Sequence, residues 1–170
     1  MRLVRRLLVT AAAMVAVSVP FITPASAAGN DYPWRYDSSW SADPYGFTKR
    51  QCVSFAAWEM AQRRHPIYNT AVTHWGSAYN WDNAAARLDK HVWHTPRVGT
   101  VAQWNAYERS AYYSPGSTRP NGYTQAGPYG HVAVVTYVYG DGSVRVEQYN
   151  MSGNRSYSTM RVKAPRYLYI

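Results

Sequence analysis

Two β-rich runs joined by a tight turn fix the character of the C-terminal third of this chain. The run His131-Val132-Ala133-Val134-Val135-Thr136-Tyr137-Val138-Tyr139 is dense in β-branched and aromatic residues, which suit a pleated, half-buried surface. Gly140-Asp141-Gly142 is a turn signal, and Ser143-Val144-Arg145-Val146-Glu147-Gln148-Tyr149-Asn150 alternates in polarity, so the two runs predict an antiparallel hairpin. Residues 157–162 and 166–170 predict further strands. Upstream the period is helical. Val53, Ala56, Ala57 and Met60 recur at helical spacing, with Phe55 and Trp58 widening the apolar surface. That pattern predicts a helix over 53–64, stopped by His65-Pro66. A second helix is expected from near Trp75-Gly76-Ser77, with Ala78, Trp81, Ala85 and Leu88 on one face and Asp82 and Arg87 toward water. Residues 90–95 are expected as a connection, and 96–104 as a turn followed by a strand. Residues 105–129 carry prolines, glycines and tyrosines without a sustained period and are expected as a long loop. Helices first and strands later predict an α+β fold with an antiparallel sheet.

The first 27 residues read as a secretory leader. Arg2, Arg5 and Arg6 form a basic start, an apolar stretch follows over 7–19, and Ala25-Ser26-Ala27 offers small residues for cleavage. Arg5-Arg6 raises the twin-arginine route, but Val4 and Leu7-Leu8 match it weakly, so the export route stays open. The apolar stretch is too short to span a bilayer, and no later segment approaches the necessary length, so no transmembrane segment is expected. Residues 28–42 are polar and aromatic and read as an irregular arm, leaving 43–170 as one domain. Losing Arg2, Arg5 and Arg6 with the leader lowers the net charge from +9 to +6. A basic exported monomer suits anionic cell-wall polymers, although solubility alone accounts for the charge equally well. The basic residues are scattered rather than clustered, so nucleic acid is not an expected partner.

The chain has a single cysteine, Cys52, and can form no internal disulfide. In an oxidising compartment a lone thiol is open to oxidation, and three readings compete: a buried inert residue, an intermolecular disulfide, or a nucleophile. Cys52 follows the loop Asp43-Pro44-Tyr45-Gly46-Phe47 and stands at the start of the first expected helix. Unsatisfied N–H groups and the helix dipole at that position favour the thiolate. A sulfur nucleophile needs a base. His65, His74, His91 and His94 fall at a helix end or in connections and read as surface residues. His131 differs, because it opens a strand directly after Tyr129-Gly130, where an imidazole is firmly mounted yet reachable. On the next strand, alternation puts Val144, Val146, Gln148 and Asn150 on one face and Arg145, Glu147 and Tyr149 on the other. Gln148 or Asn150 is thus placed to hold the second ring nitrogen of His131, with Gln148 favoured. Glu147 is the more obvious chemical choice, but parity points it away and leaves it in reserve. Metal-ligand spacings such as HExxH or CxxC are absent and no cofactor is expected; Asp31, Asp37 and Asp43 are the carboxylates open to a calcium ion in the arm.

Four blocks in order carry a resemblance. They are Asp43-Pro44-Tyr45-Gly46-Phe47 through Lys49-Arg50-Gln51-Cys52-Val53-Ser54-Phe55; Trp75-Gly76-Ser77-Ala78-Tyr79-Asn80-Trp81; Thr95-Pro96-Arg97-Val98-Gly99; and Gly130-His131-Val132-Ala133-Val134-Val135 through Asp141-Gly142-Ser143 to Gln148-Tyr149-Asn150. Together they resemble the cysteine- and histidine-dependent amidohydrolase/peptidase family, the CHAP domains. The resemblance implies a papain-like α+β fold over 43–170 and hydrolysis of amide bonds in bacterial peptidoglycan, by an N-acetylmuramoyl-L-alanine amidase or an endopeptidase. It implies Cys52 as nucleophile and His131 as base, in a protein that is secreted and extracellular or associated with the cell wall. The family's third residue is often an acid two positions before an asparagine; here Gln148 stands there, with Asn150 after it. That departure keeps open a second reading, a catalytically silent wall-binding or interaction module. A thiol-redox role is disfavoured because no second cysteine exists to resolve the first.

Overall fold

The computed structural model describes residues 29–170; the expected leader lies outside them. The main framework is an eight-stranded antiparallel sheet, and the two α-helices are short. Strand β1 is His91–Trp93, β2 Val101–Trp104, β3 Arg109–Tyr113 and β4 Gly122–Gln125. Strand β5 is His131–Val138, β6 Val144–Tyr149, β7 Tyr157–Lys163 and β8 Arg166–Tyr169. They lie in the order β1-β8-β2-β5-β6-β7-β3-β4. The predicted hairpin is β5–β6, with Val134 opposite Glu147 and a register shift between Val135 and Tyr137. The two strands expected near the C-terminus are β7 and β8.

Helix α1 runs Cys52–Gln62. Its end is closed by a double backbone bond, His65 N–H to Met60 O at 2.9 Å and Arg64 N–H to Ala61 O at 3.0 Å. That is a Schellman closure with Arg64, at φ +67°, in the left-handed position usually given to glycine. Pro66 then blocks any restart. The second helix begins later than its sequence pattern suggests: a 3₁₀ turn over Ala78–Asn80 leads into α2, Trp81–Arg87.

Two expected connections contain strands. Residues 90–95 hold β1, a three-residue edge strand exposed throughout, whose order comes from pairing with β8. Residues 105–129 are not one loop, because β3 and β4 form a hairpin with Arg109 opposite Gln125, and β3 docks on β7 with Ala111 opposite Lys163. Both hairpin strands are partly exposed, so no clean alternation of apolar and polar residues marks them.

The central strands β2, β5 and β6 are buried on both faces. Ala56, Ala57 and Met60 of α1 and Ala84 and Ala85 of α2 share one cluster with Val132, Val134 and Leu168. Trp104, Ala133, Val135, Val144, Val146 and Tyr167 form another. A third, of Tyr32, Phe55, Trp58 and Tyr149, inserts the arm between α1 and β6. Tyr32 is fully buried, its hydroxyl bonded to Ser54 Oγ, and it accepts Arg50 N–H at 3.0 Å. The arm is irregular, with a single bridge from Ala42 to Thr48.

Gly130 decides how the chain enters β5. Its φ is +69°, and an added Cβ meets Trp104 O at 2.5 Å and Tyr79 N at 2.6 Å. These are backbone atoms that cannot step aside cheaply. Gly130→Ala is expected to lower stability by about 2–4 kcal/mol, through strain and overpacking together. Gly140→Ala, where an added Cβ has nothing within 4 Å, should stay within about 0.5 kcal/mol. Urea unfolding of the two variants measures the difference, and equal midpoints would contradict the constraint placed on Gly130.

Candidate functional site

Cys52 is the first residue of α1, preceded by Gln51 in an extended conformation at φ −95° and ψ 159°. The turn before it is forced: Arg50 sits at φ +60° and is held by its Nε to Arg155 O at 3.0 Å and its Nη1 to Asp37 O at 3.3 Å. Asp43 fixes the preceding loop by accepting the N–H groups of Tyr45 at 2.8 Å and Phe47 at 3.0 Å. The sulfur faces the backbone N–H groups of Val132, Val53 and Cys52 itself. Val132 adjoins His131, so the helix start and the β5 start meet at this point. Part of Cys52 reaches the surface of a cleft of about 400 Å³.

The helix terminus does not produce a resting thiolate. Burial pushes the Cys52 thiol up to about 11, against the lowering effect of the three N–H groups. Desolvation of the charged form outweighs the dipole. His131 is buried as well, and burial pulls its imidazole down to about 4, with the bond from Gln148 opposing the shift. Sulfur and ring are therefore both uncharged at neutral pH.

His131 Nε2 lies 2.8 Å from Gln148 Oε1. Gln148 Nε2 in turn donates to Ser158 Oγ at 3.2 Å, which ties the amide to β7. An amide oxygen accepts, so Nε2 carries the ring proton and Nδ1 is the basic nitrogen. The packing agrees. Trp104 stands 5.8 Å from the ring, centroid to centroid, on the sheet face that also takes Ala133, Val146 and Gln148.

The other residues singled out in the sequence go elsewhere. Asn150 does not reach His131. At φ +60° it donates from Nδ2 to Gln51 Oε1 at 2.6 Å and accepts Arg155 N–H at 2.7 Å. Glu147 lies on the opposite face, as strand parity requires, yet it is buried rather than solvated. Burial raises its carboxyl, and its Oε1 has no hydrogen-bond partner. The Val144, Val146 and Gln148 face is core, and the opposite face is not left to solvent, since Glu147 and Tyr149 are also buried. Asp37 is spent on Lys49 at 2.8 Å and Asp43 on its own loop. Among the described residues no group of three or more His, Cys, Asp or Glu side chains is arranged to hold a metal ion. Gln51 was missed by sequence reasoning: it lines the Cys52 cleft, and its only signal is its place beside the cysteine.

The chain is 35% identical over 117 residues to an N-acetylmuramoyl-L-alanine amidase, sle1, of Staphylococcus epidermidis, covering 67% of this chain and 29% of that protein. It is 40% identical over 76 residues to the staphylococcal secretory antigen ssaA2 of Staphylococcus aureus, covering 45% of this chain and 21% of the antigen. It thus spans less than a third of these relatives' length. A crystal structure of an N-acetylmuramoyl-L-alanine amidase from Staphylococcus aureus superposes with a TM-score of 0.55 at 27% identity, over 76% of this chain and 32% of that one. The CHAP domain family matches residues 27–150, well over half of the sequence, and the chain belongs to that family.

Proposed function

We propose that this protein is a secreted peptidoglycan hydrolase that cleaves an amide bond through Cys52 and His131, in a papain-like arrangement. The observation that carries the reading is the hydrogen bond from His131 to Gln148, because it leaves Nδ1 unprotonated where the start of α1 meets β5. The relatives named as amidases support the substrate class, and the secretory antigen supports an extracellular or wall-associated location. The two helices packed with one sheet face fit the papain-like frame. The arm, which ends at residue 42, packs on the domain that begins at residue 43 through Tyr32.

The chemistry begins from the neutral pair. Nδ1 of His131 takes the proton from Cys52 as Sγ attacks the amide carbonyl, and the imidazolium forms only as charge develops on the substrate. The oxyanion is received by the Cys52 N–H in the first turn, where the helix leaves its donors unused. Gln51, whose Oε1 is held by Asn150, contributes its amide N–H₂ as a second donor. The tetrahedral intermediate collapses, Nδ1–H gives its proton to the departing amine, and a thioester remains. Nδ1 then takes a proton from water as its oxygen attacks the thioester, and returns it to Sγ as the C–S bond breaks, which frees the acid product and restores the neutral pair. Gln148 keeps the ring in one tautomer throughout but adds no negative charge. That absence of charge favours the second reading, a silent wall-binding module.

Cys52→Ala is expected to cut release of soluble fragments from purified cell walls by roughly a thousandfold or more, with thermal stability nearly unchanged. Undiminished release by the variant overturns the enzyme reading, and wall binding without release by the parent supports the silent module. Gln148→Ala should lower kcat more than Glu147→Ala, because only Gln148 touches the ring; the reverse order would assign the orienting role to Glu147.

The pH dependence follows from burial. In the folded chain His131 gains a proton only near pH 4, whereas the unfolded chain takes it near 6.5. The contribution of His131 to stability is therefore fully present above 6.5 and is lost as pH drops toward 4, because the unfolded state binds the extra proton. The acid limb of kcat/KM should fall near pH 4 for the parent and move upward in Gln148→Glu, whose anion stabilises imidazolium. A parent limb at or above pH 6.5 would contradict the desolvated ring.

A further inference from the structure

The Cys52 cleft is walled by aromatic rings from two distant segments. Trp40 comes from the arm and Tyr129 from the loop entering β5. Each is 71% exposed, an unusual state for large rings beside a reactive group. Both segments are anchored. The Arg155 guanidinium lies 4.2 Å over the Trp40 ring. Arg155 is itself anchored to Ser38 O at 3.1 Å and Lys49 O at 3.2 Å, so the indole is a mounted platform in an otherwise irregular segment. The Tyr129 backbone, two residues before His131, is fixed by its carbonyl, which accepts Tyr79 N–H at 3.0 Å.

The remaining lining is equally selective. In a chain of net charge +9, every residue lining this cleft is uncharged. Thr48, Gln51 and Ser77 supply hydroxyls and an amide between the rings. A free stem peptide brings carboxylates and ammonium groups that want ionic partners, and none lines the cleft. A pyranose ring has the opposite requirements. Its axial C–H groups carry slight positive charge and lie against the negative face of an aromatic ring, while its hydroxyl and N-acetyl groups take neutral hydrogen-bond partners. The cleft volume of about 400 Å³ falls in the range of small-ligand sites.

We infer that Trp40 and Tyr129 form a saccharide subsite that seats a neutral, N-acetylated pyranose of the glycan strand beside Cys52. As a statement about the substrate this rests on the hydrolase reading, since it puts the scissile amide next to a sugar rather than deep in the peptide. Binding, however, is measurable without turnover.

The test uses the full chain carrying Cys52→Ala, titrated calorimetrically with tetra-N-acetylchitotetraose and separately with a glycan-free stem pentapeptide. The saccharide is expected to bind saturably. Added Trp40→Ala or Tyr129→Ala should weaken it by about tenfold or more, while Trp40→Phe, which keeps a stacking face, stays within about threefold. The pentapeptide should show no saturable binding over the same range. Saccharide affinity indifferent to both alanine substitutions, or binding of the pentapeptide alone, overturns the subsite. Failure of the hydrolase reading is distinct: the Cys52→Ala chain would still lyse walls while saccharide binding stayed intact.

Discussion

The bond between His131 Nε2 and Gln148 Oε1, 2.8 Å long and inside the protein, is the interaction on which the rest of the site depends. A buried imidazole with an unsatisfied N–H is costly, so the ring adopts the tautomer that feeds the amide oxygen. Gln148 is held by Ser158 on the neighbouring strand, and Trp104 packs against the ring. Gly130 lets the backbone pass between Trp104 and Tyr79 at the point where His131 is mounted. Ring orientation is thus set by three strands and one turn. An acid in place of Gln148 would add charge stabilisation to the imidazolium; the amide contributes direction alone, in a pocket dry enough to keep the ring neutral.

Cys52 is positioned by different means. Its helix start is held by a lattice of arginines rather than by an N-cap side chain. Arg50 and Arg155 bind carbonyls of the arm and of each other's neighbourhood, and Asn150 ties Gln51 to the end of β6. Exposed ion pairs add little to stability, about 0–1 kcal/mol each. Guanidinium groups that bind several carbonyls at once act instead as geometric clamps. Positive charge accordingly sits around the site, while the cleft itself stays neutral. Sulfur, ring and lining are all uncharged at rest, and charge separation belongs to the reaction rather than to the ground state.

Much of this was legible in the sequence because the relevant signals are local. The β5–β6 hairpin follows from β-branched runs around Gly140-Asp141-Gly142, and period-two alternation alone separates Gln148 from Glu147. The helix opening at Cys52 follows from apolar spacing and its stop at Pro66. Features that depend on distant partners were not legible. Strand β1 exists because β8 pairs with it, and the β3–β4 hairpin because β7 receives it. Glu147 and Tyr149 are buried on the face where Tyr32 and α1 pack, a covering that no local pattern records. Asn150 has the right residue type for an orienting group, but its left-handed backbone turns it to Gln51. The thiolate expected at the helix start fails because depth, which no local pattern records, outweighs the dipole.

Nitrogen-15 NMR of the His131 ring, in the Cys52→Ala protein titrated between about pH 8 and pH 4, observes this arrangement directly. A neutral ring with its proton on Nε2, persisting until about pH 4, is the predicted result. A proton on Nδ1, or a ring already charged at neutral pH, would contradict it.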